Sequence, residues 1–394
     1  MKVLIIHQHF KTPQSGGAIR SYYLSQALIE KGIEVVVITA HDDDYKLENV
    51  EGAEVHFLKV PYNNSFGFIK RSIAFLKFVR KGARKAGEFK DVNLCYAISV
   101  PLTVGLAARW IKKRYNIPFV FEVGDLWPDA PVQMGFVNNS LLKKFLYKLE
   151  YNTYLSAKSI VALSPPIQAA IESKISEKKV HMIPNMADTE FYNKTAKSRE
   201  LVEQYKVQGK FVVSYIGAIG VANGLNYILD CAIVSRKAGL PIQFILCGDG
   251  AKKQQLKETI EKQQLENIFM LDFTNRIGVQ ELMNISDAAF ICYQPVPILE
   301  TGSPNKFFDA LAAGKLTVIN FGGWIKNEIE ENNCGLYVDP QNPSDFVKKI
   351  KPFITDRLLL ENYQYNARSL AERKYSRKEL SEQFSTLIAE VINQ

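Results

Sequence analysis

The chain has 394 residues, 47% of them hydrophobic, and carries 49 basic against 41 acidic side chains for a net charge of +8. That length exceeds one ordinary core and predicts two domains. The five cysteines are scattered and form no Cys-x-x-Cys pair, which argues against a zinc site or disulfide framework and predicts buried free thiols in a reducing cytosol.

The opening "MKVLIIHQHF" is too short an apolar stretch for a signal peptide and reads directly as a strand. No apolar run approaches the length of a membrane span. After the strand at 3–7 comes a glycine turn at Gly16-Gly17, then a helix from about Ala18 to Lys31 stopped by Gly32. Further β-branched runs follow at 34–39, 54–60, 94–98, 118–123 and 159–164. Continuous apolar strands separated by helices predict a parallel sheet covered on both faces. Between Tyr62 and Gly87 there is no acid, and Lys70, Lys77, Lys81 and Arg84 share one helix face, with Ile69, Ile73, Leu76, Val79 and Ala83 on the other and Phe66, Phe68, Phe75 and Phe78 near the boundary. Such a stretch over residues 66–85 reads either as a helix lying on an anionic membrane or as a packing helix with a solvated basic face. No nucleic-acid motif accompanies the charge, so nucleic acid is not expected as a partner.

The segment Met186 to Gly209 is polar and reads as a linker with a short helix. A second series of strands then starts at 211–217, 242–248, 268–273, 288–293 and 316–320, and the tail from about Asp356 is helical. The expected architecture is α/β, two doubly wound parallel-sheet units in tandem, with ligands beyond the carboxyl ends of the strands, in the cleft between them.

Three glycine turns follow strand ends: "SGGAIR" with Gly17, "GAIGVANG" with Gly217, Gly220 and Asn223, and "CGDG". Each permits close approach of a phosphate. A more specific signal is "ETGSPNKFFDALAAGKLTV" (300–318). Ser303 is expected as N-cap and Pro304 as the first helical residue, followed by Asn305. Lys306 then falls at the third helical position, where a cation opposes the helix dipole at a cost of about 0.3–1 kcal/mol. A charge-assisted bond to phosphate returns about 1.5–3 kcal/mol. Lys306, Ser303 and the helix end are therefore expected to hold a diphosphate, and Asp309, one turn on, to accept from ribose hydroxyls. The alternative is a surface ion pair between Lys306 and Asp309.

These blocks, with "IPNMADTEFY", "SDAAF" and "GGWIKNEIEENNCGLYVDP", resemble the retaining glycosyltransferases of family 4, whose fold is GT-B, two Rossmann-like domains facing across a cleft. "EVGDLWPD" (122–129) further resembles a bacterial subgroup that builds surface polysaccharides such as capsule, O-antigen or exopolysaccharide, including N-acetylfucosamine transferases. The resemblance implies an acceptor domain over 1–185, a donor domain over 186–370, and a helix over 371–394 that crosses back. It implies a nucleotide-diphosphate sugar as donor, UDP ahead of GDP, with neither cofactor nor metal, and a saccharide acceptor, for which a lipid-linked saccharide is expected. Residence is expected in the cytoplasm, peripheral to the inner face of the membrane. Donor contacts are expected from Gly17, Gly217, Gly220, Asn223, Arg276, Ser303, Pro304, Asn305, Lys306 and Asp309. Lys306, Asp125 and Glu300 are the catalytic candidates, and His9, Glu122 and Trp127 the acceptor-side ones, Trp127 as a core plug or, in preference, a stacking platform. The chain departs from the family pattern at Ala218 and Asn223, where an arginine and a lysine are common, so Lys306 helped by Arg276 is expected to supply the positive charge. Eight residues, not seven, separate Glu300 from Asp309, and Gly124 stands where a histidine is common.

"HDDDY" (41–45) is read as a solvated acidic loop, and His7 with His9 lacks a third ligand at metal-binding spacing. Two rival functions use the same features. One is a nicotinamide-dependent oxidoreductase built on "YIGAIGVANG", whose glycine spacing departs from Gly-x-Gly-x-x-Gly; the other is a non-enzymatic nucleotide-binding protein at a membrane.

Overall fold

The computed structural model describes residues 1–17, 19–63, 66–193 and 195–394; the expected helix start at Ala18 and the side chain of Phe68 lie outside the described residues. The N-terminal sheet has eight strands: β1 (Lys2–Ile6), β2 (Glu34–His41), β3 (Lys46–Val50), β4 (Ala53–Lys59), β5 (Leu94–Ile98), β6 (Phe119–Val123), β7 (Ser159–Ala162) and β8 (Val180–Met182). They run in the order β3-β4-β2-β1-β5-β6-β7-β8, all parallel except β3, which folds back on β4. The second sheet holds β9 (Phe211–Ile216), β10 (Ile242–Cys247), β11 (Ile268–Leu271), β12 (Ala288–Ile291), β13 (Leu316–Ile319) and β14 (Gly335–Tyr337), in the order β11-β10-β9-β12-β13-β14. The runs of Val and Ile are buried on both faces, as parallel sheets require.

One face of the first sheet is covered by the helices Phe68–Ala86, Val104–Tyr115, Ser140–Ser156 and Pro165–Lys174. The opposite face is covered by Arg20–Glu30 and by the last helix, Arg377–Asn393, whose Phe384 packs edge-on to Tyr96 at 4.8 Å. The first of these helices corrects the expected division of faces. It packs through Ala74, Phe78, Ala83 and Ala86, while Ile69, Ile73 and Leu76 stay exposed beside the basic residues.

The chain passes between the lobes twice, near 183–188 and near 375–377. The two passages are hydrogen-bonded to each other: Ala187 N donates to Tyr375 O at 2.8 Å and Arg377 N to Ala187 O at 3.0 Å. Beside them Asp188, buried, gathers four donors. It accepts from Tyr23 Oη of the N-terminal lobe, from Arg377 Nε at 3.1 Å, from its own neighbour Phe191 N at 3.2 Å, and from Arg276 of the C-terminal lobe. The polar segment expected to be a linker is thus a fixed junction. No helix among the described residues is long and apolar enough to cross a membrane.

Candidate active site

Between the lobes lies a cavity of about 1010 Å³ at the carboxyl ends of β1, β5, β6, β9 and β10. Its C-terminal wall begins with the helix Asn305–Ala312. Pro304, not Ser303, stands at its N-cap, because Ser303 Oγ accepts from Asn185 N at 3.4 Å across the junction and does not turn back to the helix. Lys306 therefore occupies the second helical position, closer to the free amides than expected. Its ammonium donates to Tyr215 Oη at 3.1 Å and lies over the rings of Tyr215 at 4.8 Å and Tyr293 at 5.7 Å. Burial pulls its pKa down to about 8, and burial pushes Asp309, beside the Tyr192 hydroxyl, up to about 7. Both shifts have one cause: two charges set in a protein wall without a full counter-ion.

The glycine turns complete that wall. Gly217 leaves β9 at φ +152, and a Cβ there would stand 2.8 Å from Lys306 Cε. Gly248, at φ +153, brings its backbone so close that a Cβ would lie 1.9 Å from Gly217 O. Gly217 N donates to Cys247 O at 2.9 Å and Ile219 N to Asp249 O at 2.8 Å, so the two loops are interlocked. From the other lobe, Gly16 and Gly17 adopt φ of +67 and +88, and Gly16 meets the Phe273 ring. Gly17, Gly217 and Gly248 line the cavity, and glycine lets the backbone run there in conformations that side chains rarely adopt.

Of the residues singled out from the sequence, Gly17, Gly217, Arg276, Ser303, Pro304, Asn305, Lys306, Asp309, Asp125, His9 and Glu122 all line this cavity. Four do not. Asn223 is buried and its Oδ1 accepts from Gly220 N at 3.3 Å, closing a turn that removes both residues from the cavity wall. Glu300 turns behind the wall to accept from Gly322 N at 3.1 Å. Trp127 packs against the core under the N-terminal sheet, as a plug and not a platform. Arg276 and Glu122 reach the cavity but are already paired. The Arg276 guanidinium bonds Asp188 and stacks 3.7 Å from the Phe191 ring, so its charge is shared with the junction. Glu122 accepts from Arg20 Nη2 at 3.0 Å and from the Tyr96 hydroxyl, with Arg20 also donating to Ile183 O, so it ties β6 to the junction.

Asp125 is different. It projects into the cavity, its surroundings hold its carboxyl above the ordinary range, and its Oδ1 faces Gly302 of the C-terminal wall. His7 is hydrogen-bonded to Ser21 Oγ at 2.8 Å; burial pulls it down to about 3 and His9 down to about 4, so both rings are neutral at pH 7. The His9 ring packs at a tilt of 55° against Tyr62, with centroids 4.7 Å apart. Among the described residues no three His, Cys, Asp or Glu side chains are grouped to hold a metal ion. The acidic loop is exposed, with Asp44 paired to Lys59 at 2.8 Å. Tyr215, Tyr293 and Asp188 were not singled out from the sequence, although Asp188 lies in the "IPNMADTEFY" block and Tyr215 just before the Gly217 turn.

Comparison with known proteins accords with this geometry. Residues 14–191 match the family model "Glycosyltransferase Family 4" and residues 197–370 the model "Glycosyl transferases group 1". An alpha-D-kanosaminyltransferase of Streptomyces kanamyceticus is 21% identical over 223 residues, 56% of this chain, and the match spans little more than half, 56%, of that enzyme's length. The sucrose-phosphate synthase of Thermosynechococcus elongatus superposes with a TM-score of 0.78 at 15% identity, covering 100% of this chain and 99% of that one. HepE of Anabaena, solved with UDP and glucose, superposes with a TM-score of 0.73 at 18% identity, covering 99% of both chains. With the two models together spanning nearly the whole length and both lobes superposing in one arrangement, the chain belongs to the group 1, family 4 glycosyltransferases of GT-B fold.

Proposed function

We propose that this protein transfers a sugar, with retention, from a UDP-sugar to a lipid-linked saccharide during synthesis of a bacterial surface polysaccharide such as capsule, O-antigen or exopolysaccharide. The observation that carries the reading is Lys306. It is a lysine set in the first turn of a helix, at the floor of the interlobe cavity, where only an anion relieves the cost of its placement. The diphosphate lies between Lys306, the amides of 304–306 and the Gly217 turn, with Asp309 toward the ribose. No metal is needed, because the lysine and helix end supply the charge. Asp125 meets the sugar or acceptor from the facing lobe. Among the described residues no paired nucleophile and base stand here, so the departing diphosphate assists the incoming hydroxyl on one face, and Lys306 stabilises the charge that develops. UDP bound to HepE at the same fold supports the choice of base. The "EVGDLWPD" segment supports an amino-sugar donor of the N-acetylfucosamine type. The basic, amphipathic helix within 66–85 supports an acceptor held at the inner face of the cytoplasmic membrane.

A thermal-shift screen of UDP, GDP and NADH, followed by release of UDP from UDP-sugars in the presence of EDTA, tests this reading. Stabilisation by UDP is expected; a response to NADH alone, or binding without turnover of any donor, would sink it.

A pH dependence follows. An unfolded lysine titrates near about 10.4. Lys306, lowered to about 8, thus contributes stability that is present above the unfolded value and lost as pH falls through about 8. Asp309, raised to about 7 from an unfolded value of about 3.9, contributes stability present below the latter and lost as pH rises through about 7. A bound diphosphate favours the protonated lysine. UDP affinity is therefore expected to weaken as pH rises from about 8 toward 10, and binding at pH 8 to take up a proton, read by calorimetry in buffers of different ionisation heat.

A further inference from the structure

One segment of the C-terminal lobe leaves its own fold. The connection from β12 to the helix Asn305–Ala312 makes a short turn at Pro297–Thr301. This turn packs against Asp129–Gln133 and Pro165–Lys174 of the N-terminal lobe, as well as against Trp324–Glu331 of its own. Its Ile298 is 8% exposed and belongs to the hydrophobic cluster of the first sheet. Every other buried member of that cluster among the described residues lies between Leu4 and Val180. Val296 and Leu299 pack against the same cluster. Ile298 is thus a peg from one lobe seated in the core of the other.

The residues that follow are held at three points. Thr301 O accepts from Ser164 Oγ of the N-terminal lobe at 2.5 Å, Gly302 O from Trp324 Nε1 of the C-terminal lobe at 2.8 Å, and Ser303 O from Asn185 Nδ2 of the interlobe crossing. Three successive carbonyls therefore take their partners from three different parts of the molecule. Pro304 and Lys306 come next, at the start of their helix. The socket is braced as well. Asp129, four residues after Asp125, accepts from Tyr147 Oη at 2.6 Å and from Lys174 Nζ at 3.3 Å, and Lys174 also reaches the buried Glu150 at 2.8 Å. Ser164, Asp129, Lys174 and Glu150 stand outside the cavity lining, so the proposed chemistry gives them no direct part.

We infer that Ile298 and Ser164 are positioning residues: seating the turn on the N-terminal lobe sets the start of the Lys306 helix at its working distance from Asp125. Burial of Ile298 supplies adhesion without direction, and the Ser164 hydrogen bond supplies the direction. Asp125 Oδ1 already faces Gly302, the middle one of the three held residues. A misplacement of about 1 Å between reacting groups costs about 10²-fold in rate. UDP is expected to lie mainly on the C-terminal lobe, against Lys306, Asp309 and the Gly217 turn, so its affinity does not need the peg. The inference rests on the proposed roles of Lys306 and Asp125, but the seating of the turn is measured apart from transfer.

The test compares two disruptive variants with two conservative ones, all in the full chain. Ile298→Ala empties the socket, and Ile298→Val refills most of it. Ser164 also caps the helix Pro165–Lys174, accepting from Ile167 N at 3.3 Å. Ser164→Asp keeps that cap but cannot donate to Thr301 O, whereas Ser164→Thr keeps both bonds. Ile298→Ala and Ser164→Asp are expected to lower turnover of a UDP-sugar about 10²-fold, with UDP affinity and donor KM within about threefold of native, and the conservative pair to restore turnover to within about fivefold. Hydrogen exchange reads the seating directly. In both disruptive variants the amides of 298–303 and of 129–133 should lose protection together, while those of β9 and β10 keep it. Native turnover in Ile298→Ala and Ser164→Asp overturns the proposal, as does an equal loss of UDP affinity, which a merely structural role would give. Should Ile298→Ala fail to fold, Ser164→Asp decides. If the native protein neither binds UDP nor turns over any donor, the donor reading fails and exchange alone judges the peg: joint loss of protection upholds the seating, and unchanged protection overturns it.

Discussion

Lys306→Ala is expected to lower turnover by about 10²–10³ while changing the donor KM by less than about tenfold. The ammonium lies at the start of a helix and is steered by Tyr215 Oη and two rings, not by an ion pair among the described residues. Its charge is therefore held ready for the group that becomes more negative as the sugar departs. In the proposed site ground-state binding is shared with the backbone amides, the Gly217 turn and Asp309, so affinity should survive better than rate. Lys306→Arg should not restore activity. The Cε already runs beside Gly217, where even a methyl group would come within 2.8 Å, and a planar guanidinium is broader than an ammonium. Single-turnover measurements with a turned-over UDP-sugar check both. Unchanged rates in Lys306→Ala would remove the central support for the diphosphate site.

Gly248→Ala is expected to destabilise the C-terminal lobe by at least about 3 kcal/mol and to abolish the stabilisation given by UDP. Two penalties coincide there. The backbone sits at φ +153, and the added Cβ would lie 1.9 Å from Gly217 O, a backbone atom that cannot swing aside. Relief would require the Gly217 turn to move, and that turn forms one side of the proposed phosphate pocket. Gly239→Ala supplies the contrast. Its φ of +66 also disfavours a side chain, but nothing lies within 4 Å of the new methyl, so only the conformational cost of about 1–2 kcal/mol is expected. Thermal denaturation with and without UDP separates the two.

Much of this was legible in the sequence, for definable reasons. The buried parallel strands announce themselves as runs such as "VLII" and "EVVVIT", since both faces need apolar side chains. The strands that escaped lacked that demand. Lys46–Val50 is an exposed edge strand with the sequence "KLENV", and Val180–Met182 and Gly335–Tyr337 are only three residues long. Lys306 and Asp309 could be found because their oddity is local, a cation where the helix dipole disfavours one. The partners of Asp188 could not, although "IPNMADTEFY" marks its place. Its partners Tyr23, Arg276 and Arg377 lie 165, 88 and 189 residues away in the chain. The misplacements share a cause as well. Asn223, Glu300 and Trp127 sit in loops past strand ends, where polarity and aromaticity look functional. Asn223 and Glu300 satisfy backbone amides, and Trp127 packs, half-buried, against the core.

The paired crossing at Ala187 and Tyr375 has a mechanical meaning. A single tether would let one lobe swivel, slide and twist over the other. Two strands of chain, stitched together by hydrogen bonds and braced by Asp188, behave like the knuckles of a door: they leave one axis about which the halves can swing and resist shear across it. Because the final helix Arg377–Asn393 is built into the core of the opposite lobe, neither half is a separable module, and cutting the chain before residue 377 would strip a face from the first sheet while also unpinning that axis.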